Sequence, residues 1–238
     1  MPKENFAARI TSPKKMEIEE IPMPSINDGQ CLIELEKWSV CGSDIRHAYG
    51  PVHSEEEYPM RHGGACHECA GRIIESKSDK FKVGQRVIVL PGADGPGGLV
   101  GYYPGDEDRM ALVPDDGDLG EWVLCQPSGT VLYSCQQMGT ILGKDVVIMG
   151  QGSIGLSFTA ITSRAGARRV IVVDPQDYRL KWGKKFGWWL RRSRLCMLHH
   201  EPLLGLVRAG LRERRSTAKT AESTQRILEQ EFPGRDFS

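Results

Sequence analysis

Between residues 16 and 125 the chain alternates short, β-rich apolar runs with Gly, Pro and Asp; beyond residue 125 the apolar periods lengthen. The first stretch supplies five candidate strands, at 16–21, 31–38, 71–75, 86–90 and 121–124, each bounded by turn residues. It predicts a compact, mostly β domain. Residues 91–105 hold Pro91, Gly92, Gly95, Pro96, Gly97, Gly98, Gly101, Pro104 and Gly105, too many backbone punctuators for a regular element, and predict a long surface loop. Next come a helix at 129–138, the strand Val146-Val147-Ile148-Met149, a Gly-rich turn, a helix through Arg164, a second strand ending at Asp174, and a helix at 177–186. Strand, turn, helix, strand is a βαβ unit of a parallel sheet.

From Trp188 onward this pattern breaks. A nucleotide-binding sheet calls for another buried strand near residue 193, where the chain carries Arg191, Arg192 and Arg194, followed by Arg208, Arg212, Arg214 and Arg215. Two readings of residues 188–238 stand side by side: a basic helical or disordered appendage, or an altered frame or truncated gene.

Composition narrows the function classes. Lys plus Arg and Asp plus Glu number 31 each, which argues against a nucleic acid or an anionic membrane as partner. The N-terminus lacks the apolar core of a signal peptide, and no run of about 18 apolar residues offers a membrane span, so the cytoplasm is the expected location. A 39% hydrophobic content over 238 residues suffices for a packed core. Seven cysteines without a secretion signal point to free thiols or metal ligands rather than a disulfide framework.

Gly150-Gln151-Gly152-Ser153-Ile154-Gly155 matches the dinucleotide turn G-x-G-x-x-G. Gly150 permits the tight turn, Gly152 lets a pyrophosphate approach the backbone, and Gly155 lets the helix pack closely on its strand. The helix N-terminus, beginning at Ser153 and Ile154, offers N–H groups and a positive dipole end to the phosphates. Asp174, at the end of the next strand, accepts hydrogen bonds from the adenosine ribose and repels a 2′-phosphate, which favours NAD over NADP. The opposing reading is a Gly-rich turn with an unrelated aspartate.

Three features of the first domain carry metal chemistry: Cys41-Gly42-Ser43-Asp44, Cys66-His67-Glu68-Cys69, and Cys125-Gln126-Pro127. A thiolate, an imidazole and a carboxylate from separate loops can hold Zn²⁺ and leave a position open for water or substrate. The competing readings are a local knuckle built on Cys66 and Cys69, or a dithiol redox pair. Cys31, Cys135 and Cys196 lack ligand types nearby and read as small buried hydrophobes. His53 and His62 lie in a polar segment and read as solvated.

Cys-Gly-Ser-Asp, then His67-Glu68 followed by Gly71, then Phe81-Lys82-Val83-Gly84-Gln85-Arg86-Val87, then the βαβ fingerprint together resemble the zinc-containing medium-chain alcohol and polyol dehydrogenases, over residues 10 to 187. The resemblance implies an α/β plus β chain: a GroES-like, mostly β catalytic domain over 1–137, a partial Rossmann domain, a doubly wound parallel sheet binding NAD, over 138–187, and an atypical tail over 188–238. It implies one catalytic zinc per chain, with Cys41 and His67 as ligands and Glu68 a ligand or near-ligand carboxylate. Ser43 becomes the hydroxyl that relays the alcohol proton, and His47 extends the relay at a spacing one residue longer than the pattern. The implied activity is hydride transfer between a small alcohol or polyol and NAD, with homo-oligomerisation left open because the usual dimer edge is missing. The alternative is a truncated, inactive dehydrogenase-like fragment that retains zinc or nucleotide binding. Four departures bear on this. Cys66 replaces the Gly that precedes His-Glu, Gln126 stands where a further zinc-site group is common, the loop after Leu90 lacks the cysteines of a structural zinc lobe, and the later Rossmann strands are not encoded visibly.

Overall fold

The computed structural model describes residues 4–49, 53–64 and 66–186, excluding the side chains of residues 47–49. Two compact units result, Met1–Ser134 and Cys135–Ser238.

In the first unit, β1 (Asn5–Ser12) and β2 (Lys15–Ile21) form an antiparallel hairpin. The strands β3 (Gln30–Ser39), β4 (Glu68–Ser76), β5 (Arg86–Val89), β6 (Tyr102–Asp106) and β7 (Met110–Leu112) form a five-stranded antiparallel sheet in the order β6-β3-β4-β5-β7. Strand alternation divides its residues between two faces. Cys31, Ile33, Leu35, Ile73, Val87 and Val89 pack into the main core, joined by Ala7, Phe81, Val100 and Tyr103. Ala70 and Ile88 point the other way, against Leu119 and Val123. With both faces covered, residues such as Ile33, Ile73, Val87 and Val89 are fully buried. Gly71 lies at the crossing of β3 and β4, where a Cβ would overlap the Glu34 carbonyl.

Three expectations are corrected. Residues 121–124, read as a strand, are the end of a short helix, α2 (Leu119–Trp122), and the turn after it: the Asp118 carboxylate accepts from the Gly120 N–H at 2.8 Å, and this cap outweighs the β preference of Trp122 and Val123. The loop at 91–105 is neither wholly irregular nor wholly on the surface. Gly97, Gly98 and Val100 are buried, Val100 bridges Ala7, and Tyr102–Asp106 pairs with β3. Pro104 is tolerated because β6 is an edge strand, and Gly105 because a Cβ there would come within 2.7 Å of Ile33 and 2.8 Å of Met110. β1, unread in the sequence, completes the wall that Val100 joins. The helix expected from 129 starts earlier, as α3 (Cys125–Gln137).

In the second unit, β8 (Asp145–Met149), α4 (Ser153–Arg164) and β9 (Arg169–Val173) form the βαβ unit, with β8 and β9 parallel and in register from Asp145↔Arg169 to Met149↔Val173. α5 (Asp177–Lys185) follows. Ile148, Val170 and Val172 form the core, closed by Phe158, Ala167 and Leu180. Residues 188–238, including Cys196 and the arginine-rich segment, lie outside the described residues. Among those described, no helix is long and apolar enough to cross a membrane.

Candidate metal centre and dinucleotide turn

β3 and β4 end together: Trp38 pairs with Cys69 and Ser39 with Glu68, the last rung of the ladder. Cys41 therefore leaves one strand beside the point where His67 and Glu68 enter the other. The Cys41 thiol, a His67 ring nitrogen and a Glu68 carboxylate oxygen all lie within 4.8 Å of one another, and no other such group of acidic, Cys and His side chains occurs among the described residues. Cys125, exposed at the start of α3, is not part of it.

The chain turns sharply after Cys41 into α1 (Gly42–Tyr49), a helix the sequence reading did not include. Asp44 closes that turn, its Oδ2 accepting from the Cys41 N–H at 2.8 Å. Its other oxygen, Oδ1, is buried without a hydrogen-bond partner and stands 3.7 Å from His67 Nδ1. A carboxylate with a buried, idle oxygen beside an imidazole suits a histidine that binds a cation. Together with one soft and two harder donors gathered at strand ends, it makes the residues fit for zinc. The Ser43 hydroxyl donates to the Cys41 sulfur at 3.3 Å. His47 lies in α1, and its side chain is outside the described residues. Asp44 was missed as a site residue; its signal was its place three residues after Cys41, where an aspartate caps a turn.

Cys66 and Cys69 point into the core rather than joining the trio, with their sulfurs 3.7 Å apart. The hydrogen bond between the two sulfurs, with burial, pushes the Cys69 thiol pKa up, and the same bond lowers that of Cys66. Cys31, also buried, contacts the Ser76 hydroxyl at 3.3 Å, as a small core residue would. His62 Nε2 lies 2.9 Å from a Glu19 carboxylate oxygen and His53 Nδ1 3.0 Å from one of Glu57, so each has a carboxylate partner away from the trio.

In the second unit, the Gly150-to-Gly155 segment forms the strand-to-helix turn. Gly150 adopts φ 94°, the left-handed region that favours glycine, and its N–H donates to the Val173 carbonyl at 2.7 Å. A Cβ on Gly155 would overlap the Gly150 carbonyl, whereas one on Gly152 would meet nothing within 4 Å. The turn is thus tight where α4 must pack and open where a phosphate would approach. Gly152 caps α4, ahead of the N–H groups of Ser153 and Ile154.

Asp174 is buried and bonded to the turn: Oδ2 accepts from the Gln151 N–H at 2.7 Å and Oδ1 from the Gln176 N–H at 2.8 Å, with Arg179 at 3.6 Å. Gln151, fully buried, bonds the Gly150 carbonyl at 3.0 Å and accepts from Thr159 at 3.2 Å. This clamp was not legible, because a polar residue between two glycines gives no sign of which way it points.

Residues 27–132 match the alcohol dehydrogenase GroES-like domain. A sorbitol dehydrogenase of Bacillus subtilis is 31% identical over 217 residues, 79% of this chain and 60% of that protein. Among solved structures, an oxidoreductase/dehydrogenase of unknown specificity from Escherichia coli is similar with a TM-score of 0.71 at 25% identity, over 79% of this chain and 62% of that one. The 2R,3R-butanediol dehydrogenase of Bacillus subtilis gives a TM-score of 0.66 at 26% identity, over 77% and 61%. The chain spans about 60% of the length of the curated relatives it matches. The first unit is accordingly a GroES-like domain, and the βαβ unit after it has the start of a Rossmann fold.

Proposed function

We infer that this relative of the alcohol and polyol dehydrogenases, with their GroES-like domain at residues 27–132, is a zinc-dependent oxidoreductase that moves a hydride between a small alcohol or polyol and NAD. The observation that carries the reading is the meeting of Cys41, His67 and Glu68 within 4.8 Å at the ends of two paired strands.

When bound, zinc supplies a Lewis acid for the substrate oxygen, and NAD supplies the hydride acceptor. Cys41, His67 and Glu68 hold the metal, while Asp44 fixes the Cys41 backbone and stands beside His67 to orient its ring. Ser43, next to the Cys41 sulfur, accepts the alcohol proton and passes it on, with His47 as the next carrier. Gly150, Gly152, Ser153, Ile154 and Gly155 hold the pyrophosphate through backbone N–H groups, and Asp174 meets the adenosine ribose. One zinc per chain is proposed, with domains at 1–137 and 138–187.

The alternative is a dehydrogenase-like chain that binds zinc or nucleotide without turning over an alcohol. Three measurements on the purified chain separate the two: bound zinc, NADH fluorescence titration, and NADH formation with sorbitol or butanediol. Zinc near one per chain with turnover supports the enzyme; zinc and NADH binding without turnover supports the inactive binder; absence of zinc removes the mechanism. Cys41→Ser should weaken zinc binding by about a hundredfold or more and leave NADH affinity within about twofold. Equal loss of both would sink the division of labour.

A further inference from the structure

The zinc chemistry leaves two neighbouring thiols unused. Cys66 and Cys69 bracket His67 and Glu68 in the sequence, both are buried, and their sulfurs stand 3.7 Å apart. The two are held differently. Cys69 sits inside β4, paired to Trp38 on one side and Val89 on the other, and packs so closely on Gly98 that a Cβ there would overlap its sulfur. Cys66 precedes the strand, and its carbonyl accepts from the Gly98 N–H at 2.8 Å. Cys69 is therefore held within the ladder, whereas Cys66 lies outside it.

We propose that Cys66 and Cys69 are a reversible oxidation site, closing to an intramolecular disulfide that releases metal from Cys41, His67 and Glu68; the second half of this rests on the zinc reading above. The oxidant class is a small hydroperoxide, because burial excludes bulky disulfides such as oxidised glutathione. One sulfur attacks a peroxide oxygen, the O–O bond breaks, and a sulfenic acid and water form. The second sulfur then displaces the sulfenic hydroxyl as water. In sum two thiols and one hydrogen peroxide give one disulfide and two waters: each sulfur loses one electron, and the peroxide gains two. A dithiol reductant reverses the step by exchange.

A disulfide bond measures about 2.05 Å, so the two sulfurs must close by roughly 1.6 Å. With Cys69 fixed in the ladder, that movement falls on Cys66 and the peptide it shares with His67. Metal–ligand distances tolerate only about 0.2 Å, so a fraction of the closing motion, passed to His67, is enough to open the site.

The test uses the purified, zinc-loaded full chain, treated with hydrogen peroxide, then alkylated and digested with trypsin. Cleavage at Arg61 and Arg72 gives a peptide in which Cys66 and Cys69 are the sole cysteines. The expected result is this peptide two hydrogens lighter and unalkylated, zinc release at least about tenfold faster into a chromophoric chelator, and recovery of both after dithiothreitol and added zinc. Cys69→Ala should keep its zinc under the same treatment, with Cys66→Ala as the second variant should the first fail to fold. Full alkylation of Cys66 and Cys69 after peroxide, or a disulfide through Cys41 or Cys125 instead, overturns the proposal. A Cys66–Cys69 disulfide with unchanged zinc release overturns the switch. Failure of the reduced protein to bind zinc overturns the metal reading, and the peptide map then still decides whether the disulfide forms.

Discussion

The two candidate sites are built over different distances along the chain. In the second unit, the turn and the carboxylate that braces it fall between Gly150 and Gln176, and one strand-turn-helix-strand run holds them. In the first unit, Cys41 and His67 are brought together by β3 and β4, whose pairing depends in turn on β5 and β6 on either side. A site made by a local turn tolerates loss of distant packing. A site made by the meeting of two strands does not.

Ile33→Ala should therefore have the largest effect on stability: it empties a fully buried place in β3 and should cost about 2–5 kcal/mol in urea unfolding. Zinc retention should fall with it while NADH affinity stays within about twofold; a parallel loss of NADH binding would break the comparison. Gly155→Ala tests the other unit. The added Cβ meets backbone rather than a flexible side chain, so about 1–3 kcal/mol of destabilisation is expected, with weakened NADH binding and intact zinc. If the variant binds NADH normally, α4 does not need its close approach.

Asp174→Ala should weaken NAD binding about tenfold and narrow the preference for NAD over NADP. Because Asp174 also accepts from two backbone N–H groups, one on each oxygen, Asp174→Asn removes the charge and keeps an acceptor for only one of them, which makes it the milder companion to the alanine variant. An unaltered preference in both variants would refute the ribose assignment.

The smallest effect concerns Asp145, which Arg169 and Arg168 hold well below the usual carboxylate range. Its folded pKa is depressed, so its contribution is present above the unfolded value, near pH 4, and is lost as pH falls through the folded one. Asp145→Asn should flatten that acid limb in thermal melts between about pH 5 and pH 2 and leave the metal site untouched. An unchanged limb would show that the two arginines are satisfied elsewhere.

The same contrast of distances explains what was legible. The parallel unit could be read because its signals are local: an apolar strand, glycines at fixed spacing, a helix, and Asp174 at a strand end. In the first unit the strand cores could be read, but β1 and the pairing of Tyr102–Asp106 with β3 could not, since Pro104 and Gly105 argue against a strand until its edge position and close neighbours are known. Trp122 and Val123 misled in the opposite direction, their β preference outweighed by an Asp118 cap.

By itself the sequence determined the identity and order of the donors, the glycine spacing of the turn, and the alternation that commits residues 31–38 to one sheet. The tertiary structure alone decided the rest. It set which side of the strand end Cys41 faces, turned Cys66 and Cys69 away from the trio and into contact with each other, and aimed Gln151 inward to clamp the turn. Spacing along a chain fixes how far apart groups can be, whereas strand register and burial fix which of them meet.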